Sequence, residues 1–541
     1  MTQYFRHLCL VLALTLASSQ TYAMKNHQNH QQPVGPYFWF DQLILANQFV
    51  QILYLIGPIA RTQLWSVSHY FRRILNAYQA PQYHQSLIPF QAPQQGQGWT
   101  DTLPVINSIS YPGDNDEAPI AIGNYLYLVS MGGVDFENFR NTSYYLSVFN
   151  PALFGLSNAS PLIASILVDR TRAPFGVGEY VCLVNEVSGT LTIINPSLIG
   201  TDSNPVVASI PIANEPSHPL VLGTRILFSS RSRNLVTVVD TALIGVPDAN
   251  LVIESIPVGQ HPQTPIAFDN MIFVADDRQI TVLDSTQVGV LNANPLITTI
   301  PRAVFSLQRF GAYMVGIDGN NNEIVVIDPA QARKGGEATI AAVVQIGGDW
   351  HLSSMVSIGS YVFVSGLAPV VHVIDLERVG VQGANPLIAS ISVAGGLQDG
   401  ETDIPIVFGS YLLVPTGFSN YLDVIDPALI GTGQNPIICT LRPRDRPHAL
   451  TGLSPYLLYL AEDEYDSSVS ILDTRRLVKA SRILRARRVE NPNSIIQSIA
   501  TIANIEVGNF PCSPVLIGRY IYVIADNKLT VIDFSGFLNG R

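Results

Sequence analysis

The feature that most constrains the fold is a short β-branched run, ending in Asp or Asn, that recurs nine times between residues 146 and 533. The spacings between successive run ends are 45, 45, 44, 44, 47, 51, 47 and 60 residues. Recurrence at a nearly constant spacing indicates a repeat fold in which each unit is one supersecondary element. The nine run ends are Asn150, Asn195, Asp240, Asp284, Asp328, Asp375, Asp426, Asp473 and Asp533.

Each unit contains four short apolar runs separated by turn residues. A moderately apolar run such as 118–124 leads to a Tyr- and Val-rich run such as 125–129, and a polar hairpin then leads to the run that ends in Asp or Asn. A connector such as PALIGTGQNP (427–436) precedes the fourth run. Four strands in about 45 residues are typical of a propeller blade. We therefore predict an all-β fold, a β-propeller of nine four-stranded blades over 103–541, with an eight-bladed ring and one degenerate unit as the alternative.

The chain termini predict how the ring closes. The last unit has only three runs before Arg541, and LPVINSIS (103–110) matches the fourth run PLIASIS (386–392). Pairing of 104–110 with 528–532 would complete the last blade and remove an exposed sheet edge. We therefore predict closure by an N-terminal strand.

The Asp or Asn that ends the third strand has a structural interpretation. Its side chain can accept hydrogen bonds from backbone N–H groups two or three residues further on and so shape a tight turn. Pro follows in four units, at 151, 196, 329 and 427, and presets φ there. We assign these nine side chains to turn formation, and not to a ring of catalytic carboxylates.

Units such as YVFVSGLAPVVHVIDLERVGVQGANPLIASISVAGG (361–396) resemble the YVTN-type surface-layer β-propeller repeat, in which a YVxV strand leads to a VID strand. The resemblance covers about 103–541. It implies a propeller, and it implies no single function, since such propellers are mostly binding or surface proteins and some relatives are enzymes or electron carriers. The longer LIG…ANP connector and the nine units depart from that family pattern.

The N-terminal region predicts export. Residues 1–23 have a basic start at Arg6, an apolar core at 8–16 and small residues at 21 and 23, which is the pattern of a secretory signal peptide. We predict that 24–80 is a helical segment and that 81–102 is a Gln/Pro-rich linker. The expected location is secreted, periplasmic or cell-surface, with no transmembrane span after signal cleavage.

Charge and cysteine content narrow the function classes. With 30 basic and 41 acidic residues the net charge is −11, which argues against nucleic-acid binding because that needs clustered Lys and Arg. Removal of Cys9 with the signal would leave three cysteines, an odd set that forms no disulfide framework. Cys182 and Cys439 lie in apolar runs and are interpreted as core residues.

Sorting the loops by blade end places acidic residues and four histidines on one face. This face carries the loops between strands two and three and between strand four and the next blade, including Asp276, Asp277 and Asp318. An acidic, concave face attracts cations or basic partners. The residues chosen as ligand-binding candidates are His218, His261, His351, His448, Asp116, Glu117, Glu401 and Asp403.

We predict no catalytic residue and no cofactor, with two metal alternatives left open. The histidines belong to units three, four, six and eight, so a channel metal would need them to converge. Residues 318–323 (DGNNNE) faintly resemble a calcium loop, although a Gly/Asn hairpin turn explains them equally. His372 lies in a strand and is interpreted as structural.

A basic insertion follows the eighth third-strand run. Residues 475–488 (RRLVKASRILRARR) carry seven basic side chains in a chain with only 30. They form either a solvated element or a docking patch for an acidic protein or anionic polymer. The patch consists of Arg475, Arg476, Lys479, Arg482, Arg485, Arg487 and Arg488.

Together these features predict an exported, non-catalytic β-propeller that binds a partner through a loop face. The alternatives are a propeller enzyme, such as a lactonase-like hydrolase with a channel metal, and a structural protein of the envelope. Bound metal would separate the enzyme from the binding protein, and self-assembly into sheets would indicate the structural protein.

Overall fold

Nine four-stranded antiparallel sheets form in the computed structural model of the chain, one for each sequence repeat. The structure describes residues 105–111, 118–132, 143–156, 159–171, 173–347, 352–366, 368–394, 405–416, 421–441, 446–453, 456–462, 468–486, 493, 501–507, 514–526 and 528–534. All of them belong to one structural unit, His84–Arg541. The predicted signal peptide, helical segment and linker lie outside the described residues.

The blades are numbered here in chain order, and each blade runs from its first to its fourth strand. Blade 1 comprises β2 (Ile120–Ile122), β3 (Tyr125–Met131), β4 (Tyr144–Phe149) and β5 (Leu162–Val168). Blade 2 comprises β6 (Phe175–Val177), β7 (Tyr180–Asn185), β8 (Thr190–Ile194) and β9 (Val206–Pro211). Blade 3 comprises β10 (Leu220–Leu222), β11 (Arg225–Ser230), β12 (Leu235–Asp240) and β13 (Val252–Pro257).

The middle three blades follow the same plan. Blade 4 comprises β14 (Ile266–Phe268), β15 (Met271–Ala275), β16 (Ile280–Asp284) and β17 (Leu296–Ile300). Blade 5 comprises β18 (Phe305–Phe310), β19 (Tyr313–Asp318), β20 (Glu323–Ile327) and β21 (Ile340–Gln345). Blade 6 comprises β22 (Leu352–Ile358), β23 (Tyr361–Gly366), β24 (Val370–Asp375) and β25 (Leu387–Ser392).

The last three blades include the one that closes the ring. Blade 7 comprises β26 (Ile406–Phe408), β27 (Tyr411–Thr416), β28 (Tyr421–Ile425) and β29 (Ile437–Leu441). Blade 8 comprises β30 (Arg446–Leu453), β31 (Tyr456–Glu462), β32 (Ser468–Asp473) and β33 (Thr501–Glu506). Blade 9 comprises β34 (Val515–Ile517), β35 (Tyr520–Ala525), β36 (Lys528–Asp533) and the N-terminal β1 (Val105–Ser110).

The predicted closure is confirmed by the pairing of β1 with β36. The two strands are antiparallel, with Ile109 opposite Leu529 and Ser110 opposite Lys528. The N-terminal strand therefore supplies the fourth strand that the last repeat lacks. Because β36 is paired on both sides, it presents no open edge for aggregation.

Nine apolar clusters join the nine blades into a ring. Each cluster is shared by two consecutive blades, because the two faces of every sheet pack against its neighbours. One cluster joins the last blade to the first, where Tyr522 and Leu529 pack with Leu126 and Phe149. First strands of neighbouring blades, such as β14, β18 and β22, contact each other and so line the centre. The chain is a nine-bladed β-propeller.

Burial on both faces explains the composition of the second and third strands. In β7 five consecutive residues are buried, and β23 shows the same pattern. Such strands read as continuous Val, Ile, Leu and Tyr runs instead of alternating ones. Cys182 and Cys439 are buried core residues, as predicted, and burial raises the pKa of Cys182 to about 12.

The residue that ends the third strand shapes the following turn, as predicted. In eight blades one of its oxygens accepts a hydrogen bond from the backbone N–H two residues on, at 2.9–3.1 Å. In six of these the side chain is the N-cap of a 3₁₀ turn. These six 3₁₀ segments are Pro151–Leu153, Pro196–Leu198, Thr241–Leu243, Pro329–Lys334, Leu376–Arg378 and Pro427–Leu429. A further 3₁₀ segment, Gly336–Thr339, has no side-chain cap.

The Asn of the LIG…ANP connector has a second, matching role. In five blades its Oδ1 accepts the backbone N–H two residues on, at 3.0–3.1 Å, where the fourth strand begins. The residues are Asn204, Asn250, Asn294, Asn385 and Asn435. The connector in each of these five blades is thus capped at both ends by a side chain.

The basic insertion of blade 8 contains helix α1 (Thr474–Ala486). Leu477 and Ala480 are buried in the cluster shared by blades 7 and 8, whereas Lys479 is exposed. The helix is therefore amphipathic, with one side on the ring. The helices in the part of the chain that the structure describes are all too short or too polar to cross a membrane.

Candidate functional site: a cleft on the turn face

The strand order divides the loops into two faces. The turn face is the end of the blades that carries the turns between second and third strands, such as 276–279 and 319–322, and the connections from each fourth strand to the next blade. The connector face is the opposite end and carries the connectors from third to fourth strands, such as 240–251. This division follows from antiparallel pairing within each sheet.

A cleft of about 570 Å³ opens on the turn face and is shared by blades 4, 5 and 6. This volume lies within the range usual for small-molecule sites. Its lining combines two carboxyl groups, two amides and an apolar wall. The lining residues are Gln263, Asp276, Asp277, Ala303, Val304, Phe305, Gly319, Asn320 and Leu352.

Asp276 is the buried carboxyl group of the cleft and is only 1% exposed. It follows β15, and its Oδ1 accepts the backbone N–H groups of Arg278 and Gln279 at 2.8 and 3.0 Å, which forms the turn into β16. Its Oδ2 is buried and has no hydrogen-bond partner among the described residues. Since buried polar atoms are almost always paired, this oxygen calls for an explanation.

Gly259 makes room for this carboxyl group. A Cβ atom at that position would lie 1.8 Å from Asp276 Oδ2, well inside van der Waals contact. Burial is the largest influence on the pKa of Asp276 and raises it; the two backbone hydrogen bonds oppose this rise, and the charge of Asp277 adds to it. A cation in the cleft would offset both unfavourable influences on the ionised form.

Asp318 occupies the same turn position in blade 5, with a different outcome. It is 3% exposed, and its Oδ1 accepts the backbone N–H groups of Asn320 and Asn321 at 3.1 and 3.3 Å. Its Oδ2 also accepts from Asn321 Nδ2 at 2.9 Å and lies 4.0 Å from Arg302. Thus both oxygens of Asp318 have partners, whereas the described residues provide partners for only one oxygen of Asp276.

Arg302 is held by acidic partners in blade 5. Its Nη1 lies 3.4 Å from Glu323 Oε2, and the other Glu323 oxygen accepts from Gln345. The segment that resembled a calcium loop is therefore a hairpin turn whose carboxyl oxygens are used by protein donors. Across the described ranges, no group of three or more His, Cys, Asp or Glu side chains is placed to hold a metal ion.

Gln263 links blade 4 to the segment of blade 5 that carries the apolar lining residues Val304 and Phe305. Its Nε2 donates to Val304 O at 3.0 Å, and its Oε1 accepts the Ser306 N–H at 3.2 Å. The clamped segment includes Ser306 in the left-handed region, at φ 50°. Phe305 then lies over Gly319, where a Cβ would come within 2.3 Å of its ring.

His261 is the predicted ligand-binding histidine that the structure brings beside the cleft. Its Nδ1 lies 2.6 Å from Asp277 Oδ2, and the two side chains are 58% and 54% exposed. The backbone N–H of His261 donates to Asn234 Oδ1 at 3.1 Å, which fixes the connection into blade 4. His261 thus orients Asp277 at the mouth of the cleft.

The other predicted ligand-binding residues do not join this cleft in the described structure. His218 is exposed in the connection to blade 3. His448 lies in β30, opposite Leu460, and not in a loop as the sequence suggested, because β30 extends to Arg446 by pairing with β31. The structure does not describe Asp116, Glu117, His351, Glu401 or Asp403, so those assignments stay predictions.

His372, interpreted from the sequence as structural, is buried within β24. Its exposed fraction is 5%, its Nδ1 lies 3.0 Å from Ser390 Oγ, and burial lowers its pKa. Burial acts in this direction because it disfavours the charged form of an imidazole. The strand interpretation of His372 is confirmed.

The sequence analysis placed Asp276, Asp277 and Asp318 on this face, but it did not identify the apolar residues that line the cleft. Gln263 lies in the connection into blade 4 and Phe305 is the first residue of β18, and the repeat pattern is weakest where one blade passes to the next. One signal was present: RAVFS (302–306) replaces the usual polar and Pro-rich approach to a first strand with apolar residues.

The basic insertion is partly paired with the ring. Arg475 forms a double contact with Asp473, through Nε–Oδ1 at 3.1 Å and Nη2–Oδ2 at 2.9 Å, and Arg476 Nε lies 3.7 Å from the same carboxylate. Burial acts to raise the pKa of Asp473, but the hydrogen bonds and charge of Arg475 outweigh it and hold the pKa below its usual value. The side chains of Arg482 and Arg485 are not described, and Arg487 and Arg488 lie outside the described residues.

Comparison with known proteins gives distant structural similarity. No protein-family model matches the chain, and no curated protein matches it. Among solved structures, BamB from Moraxella catarrhalis aligns with a TM-score of 0.40 and 12% identity over 66% of this chain and 95% of that chain. The dihydro-heme d1 dehydrogenase NirN aligns with a TM-score of 0.43 and 15% identity over 82% of this chain and 84% of that chain. Hydrazine synthase from Kuenenia stuttgartiensis aligns with a TM-score of 0.34 and 16% identity over 66% of this chain and 92% of that chain. At these scores the similarities carry no argument about function.

Proposed function

We propose that the chain is an exported, non-catalytic β-propeller that binds a partner through its turn face. One observation carries the proposal: a cleft of about 570 Å³, shared by blades 4–6, is lined by the acidic side chains Asp276 and Asp277 together with apolar residues. Loops held on a rigid ring are a common place for binding residues.

The charge and shape of the cleft support binding. Asp276 and Asp277 contribute carboxyl groups to the lining of the cleft, and Phe305 and Leu352 contribute apolar surface. The chain also carries a net charge of −11, which attracts positively charged ligands over a distance. Such a combination recognises a partner by charge and apolar contact together.

A matched pair of variants tests the turn face. The Asp276→Asn/Asp277→Asn protein and the Asp240→Asn/Asp248→Asn protein lose the same two charges, the second pair on the connector face. Immobilised full-length chain is incubated with extract of the native host, and retained proteins and metabolites are compared by mass spectrometry. We expect the turn-face variant to lose a bound species that the connector-face variant keeps. Identical retention by both variants contradicts the proposal.

Two alternatives from other classes give different outcomes in the same preparation. A lactonase-like hydrolase with a channel metal would contain stoichiometric metal, and that metal would be lost when His218, His261, His351 and His448 are replaced together. A structural envelope protein would assemble into sheets. Either result in place of turn-face binding would assign the chain to that class.

Export and repeat family form part of the proposal. Residues 1–23 have the pattern of a signal peptide, and the YVFVS and VHVID runs of blade 6 resemble the YVTN-type surface-layer repeat. The test is expression of the full chain in a secreting host, followed by N-terminal sequencing. We expect an exported protein that begins at Met24; an uncleaved chain retained in the cytosol contradicts export.

Helix α1 is proposed as a second docking surface, for an acidic protein or an anionic polymer. Its support is that Lys479 is exposed while Leu477 is buried, so the helix presents basic residues outward. The probe is heparin, a soluble polyanion, and the variant is Lys479→Gln/Arg482→Gln/Arg485→Gln. We expect salt-sensitive heparin binding that this variant loses; unchanged binding removes this surface from the proposal.

A further inference from the structure

We propose that the connector face binds a lipid surface, by inserting single aliphatic side chains and by attracting anionic headgroups through helix α1. The inference goes beyond turn-face binding, and its cationic part uses the docking surface proposed above at α1. Among the described residues, seven large apolar side chains outside the strands are exposed, and six of them lie on the connector face. Val187 is the one on the turn face, and the six are Leu156, Val246, Val290, Leu291, Val381 and Ile483.

Four of these side chains occupy one repeated position, which we call the connector tip. Each tip follows a Gly in the left-handed region, at φ 75–78°, and donates its backbone N–H to the carbonyl three residues back at 3.1–3.3 Å. Thr201 and Thr432 hold the same position in blades 2 and 7. Because equivalent positions of a ring lie at one level, the tips share one level of the connector face. The four aliphatic tips are Leu156, Val246, Val290 and Val381, and they are 42–55% exposed.

Packing of the ring explains the residue before each Gly but not the tip after it. Val288 and Val379 are only 1% and 7% exposed, and both belong to apolar clusters between blades. Two residues later, Val290 and Val381 are 42% and 54% exposed. A single exposed aliphatic side chain needs no explanation, but its repetition at one level in four blades does.

The arrangement of the tips suits a lipid surface better than a protein partner. A protein interface gathers its apolar side chains into one contiguous, desolvated centre. The tips form no such centre, since each belongs to a different blade and exposed acids such as Asp248 and Glu377 lie in the same connectors. A lipid interface is apolar below every point of its surface, so separate side chains at one level can each insert.

Helix α1 supplies the attraction to anionic headgroups. Its inner side packs on the ring, and its exposed side includes Arg476, Lys479 and Ile483, which follow one another at spacings of three and four residues. Such spacings place side chains on one side of a helix. Cations beside an aliphatic residue are suited to the surface of a membrane that contains anionic lipid.

The charge on the rest of the face predicts which part of the binding depends on salt. Asp202, Asp248 and Glu337 are exposed in the connectors of blades 2, 3 and 5, and they repel anionic headgroups. The electrostatic attraction therefore comes chiefly from α1 and is screened by salt. The contribution of the tips is apolar, and we expect it to persist in salt.

Flotation of the full-length chain with lipid vesicles tests the tips. The vesicles contain phosphatidylcholine alone or phosphatidylcholine mixed with phosphatidylserine. The tip variant is Leu156→Thr/Val246→Thr/Val290→Thr/Val381→Thr, which uses the residue that blades 2 and 7 already have at this position. The matched control is Val187→Thr, a 67% exposed side chain on the turn face. We expect the tip variant to bind both vesicles at least about tenfold more weakly and the control to bind as the wild type does.

Two further variants test the inference from the opposite direction and by charge. Thr201→Val/Thr432→Val adds two aliphatic tips and should strengthen binding by about threefold or more. Lys479→Gln/Arg482→Gln/Arg485→Gln should lose the salt-sensitive preference for phosphatidylserine and keep the binding to phosphatidylcholine alone.

No binding to either vesicle, an equal loss for the tip variant and Val187→Thr, or no gain for the added tips would overturn the inference. If α1 binds heparin while the chain binds no vesicle, the docking surface at α1 stands and its partner is a soluble polyanion. Capture from host extract through Asp276 and Asp277 tests turn-face binding independently, so the two proposals fail separately.

Discussion

The two faces of the ring use the same residue types in opposite ways. On the connector face, eight Asp or Asn side chains make the same backbone hydrogen bond within 0.2 Å of one another, at 2.9–3.1 Å. On the turn face the equivalent capping positions hold Asn185, Ser230, Asp276 and Asp318, all buried, with different second partners. The uniform hydrogen bonds of the connector face indicate a structural role. The different partners of the side chain in blade 4 indicate a specialisation of that blade.

The contrast between Asp276 and Asp318 localises that specialisation. Both carboxyl groups shape a turn through Oδ1, so the turn alone explains one oxygen in each case. The second oxygen of Asp318 is used by Asn321, and that of Asp276 is unused by the described residues. A buried acid that serves only folding would be expected to have both oxygens paired.

The largest effect should come from a glycine pair on the turn face. Gly259 and Gly347 both follow the fourth strand of a blade, yet a Cβ at 259 would meet Asp276 at 1.8 Å and a Cβ at 347 would meet nothing within 4 Å. We expect Gly259→Ala to destabilise the protein by about 1–3 kcal/mol through overpacking. Gly347→Ala should change the free energy of unfolding by less than about 0.5 kcal/mol.

Chemical denaturation measures both variants, and a double-mutant cycle gives the cause. If the clash with Asp276 is responsible, Gly259→Ala and Asp276→Ala together should cost less than the sum of the single changes. Strict additivity would show that Gly259 and Asp276 are not coupled, and would weaken the account of the site.

A smaller effect is expected at the connector face, where Asp240 caps a 3₁₀ turn through the Ala242 N–H at 3.0 Å. Asp240→Ala should cost about 1 kcal/mol, the usual value for a lost cap. Asp240→Asn should cost only a few tenths, because Asn195 makes the same bond at 3.0 Å in blade 2. Thermal unfolding of the two variants checks this; a large loss for Asn would mean that the caps are not interchangeable.

The smallest effect is expected for Asp276→Asn, and it should depend on pH. The folded pKa of Asp276 is raised above its ordinary value of 3.8, chiefly by burial. The folded state therefore binds more protons than the unfolded state between these two values, and wild-type stability falls as pH rises through that window. Asn does not titrate and avoids this loss, so the variant should gain in Tm at neutral pH.

The gain in Tm for Asp276→Asn should shrink as pH falls and disappear below about 3.8, the unfolded pKa. The matched control is Asp318→Asn, which replaces an acid of the same turn position whose second oxygen is paired with Asn321. That variant should lose stability at neutral pH. A gain for both variants, or for neither, would remove the distinction between the two turns.

Much of the fold was predictable because the repeat acts through local chemistry. The alternation of strand runs with turn residues determines which side chains end each strand, and the Asp375 and Asp426 caps bond only two residues away. Closure by β1 was also predictable, since 103–110 carries the same pattern as other fourth strands. Sorting by strand end placed Asp276, Asp277 and Asp318 on one face for the same reason.

The site itself was less predictable, because its contacts cross between blades. Gln263 reaches Val304, 41 residues away, and no repeat position announces such a pair. The histidine set was chosen by loop type, and the described structure brings only His261 of that set beside an acid of the cleft. Loop type gives the face on which a side chain lies, but it does not give the distance to a neighbour.

The repeat pattern was enough to predict nine blades, the strand that closes them and the side-chain caps that follow the third strands of eight blades. These features depend on contacts within a repeat or between equivalent runs, and the period carries that information. The second oxygen of Asp318 is paired for a local reason, since its donor, Asn321, lies three residues further along the same turn. The three-dimensional packing was needed to find that Asp276 Oδ2 is buried against Gly259 and has no partner among the described residues. That contact joins the connection before blade 4 to a turn within the blade, and the repeat pattern does not encode contacts of this kind.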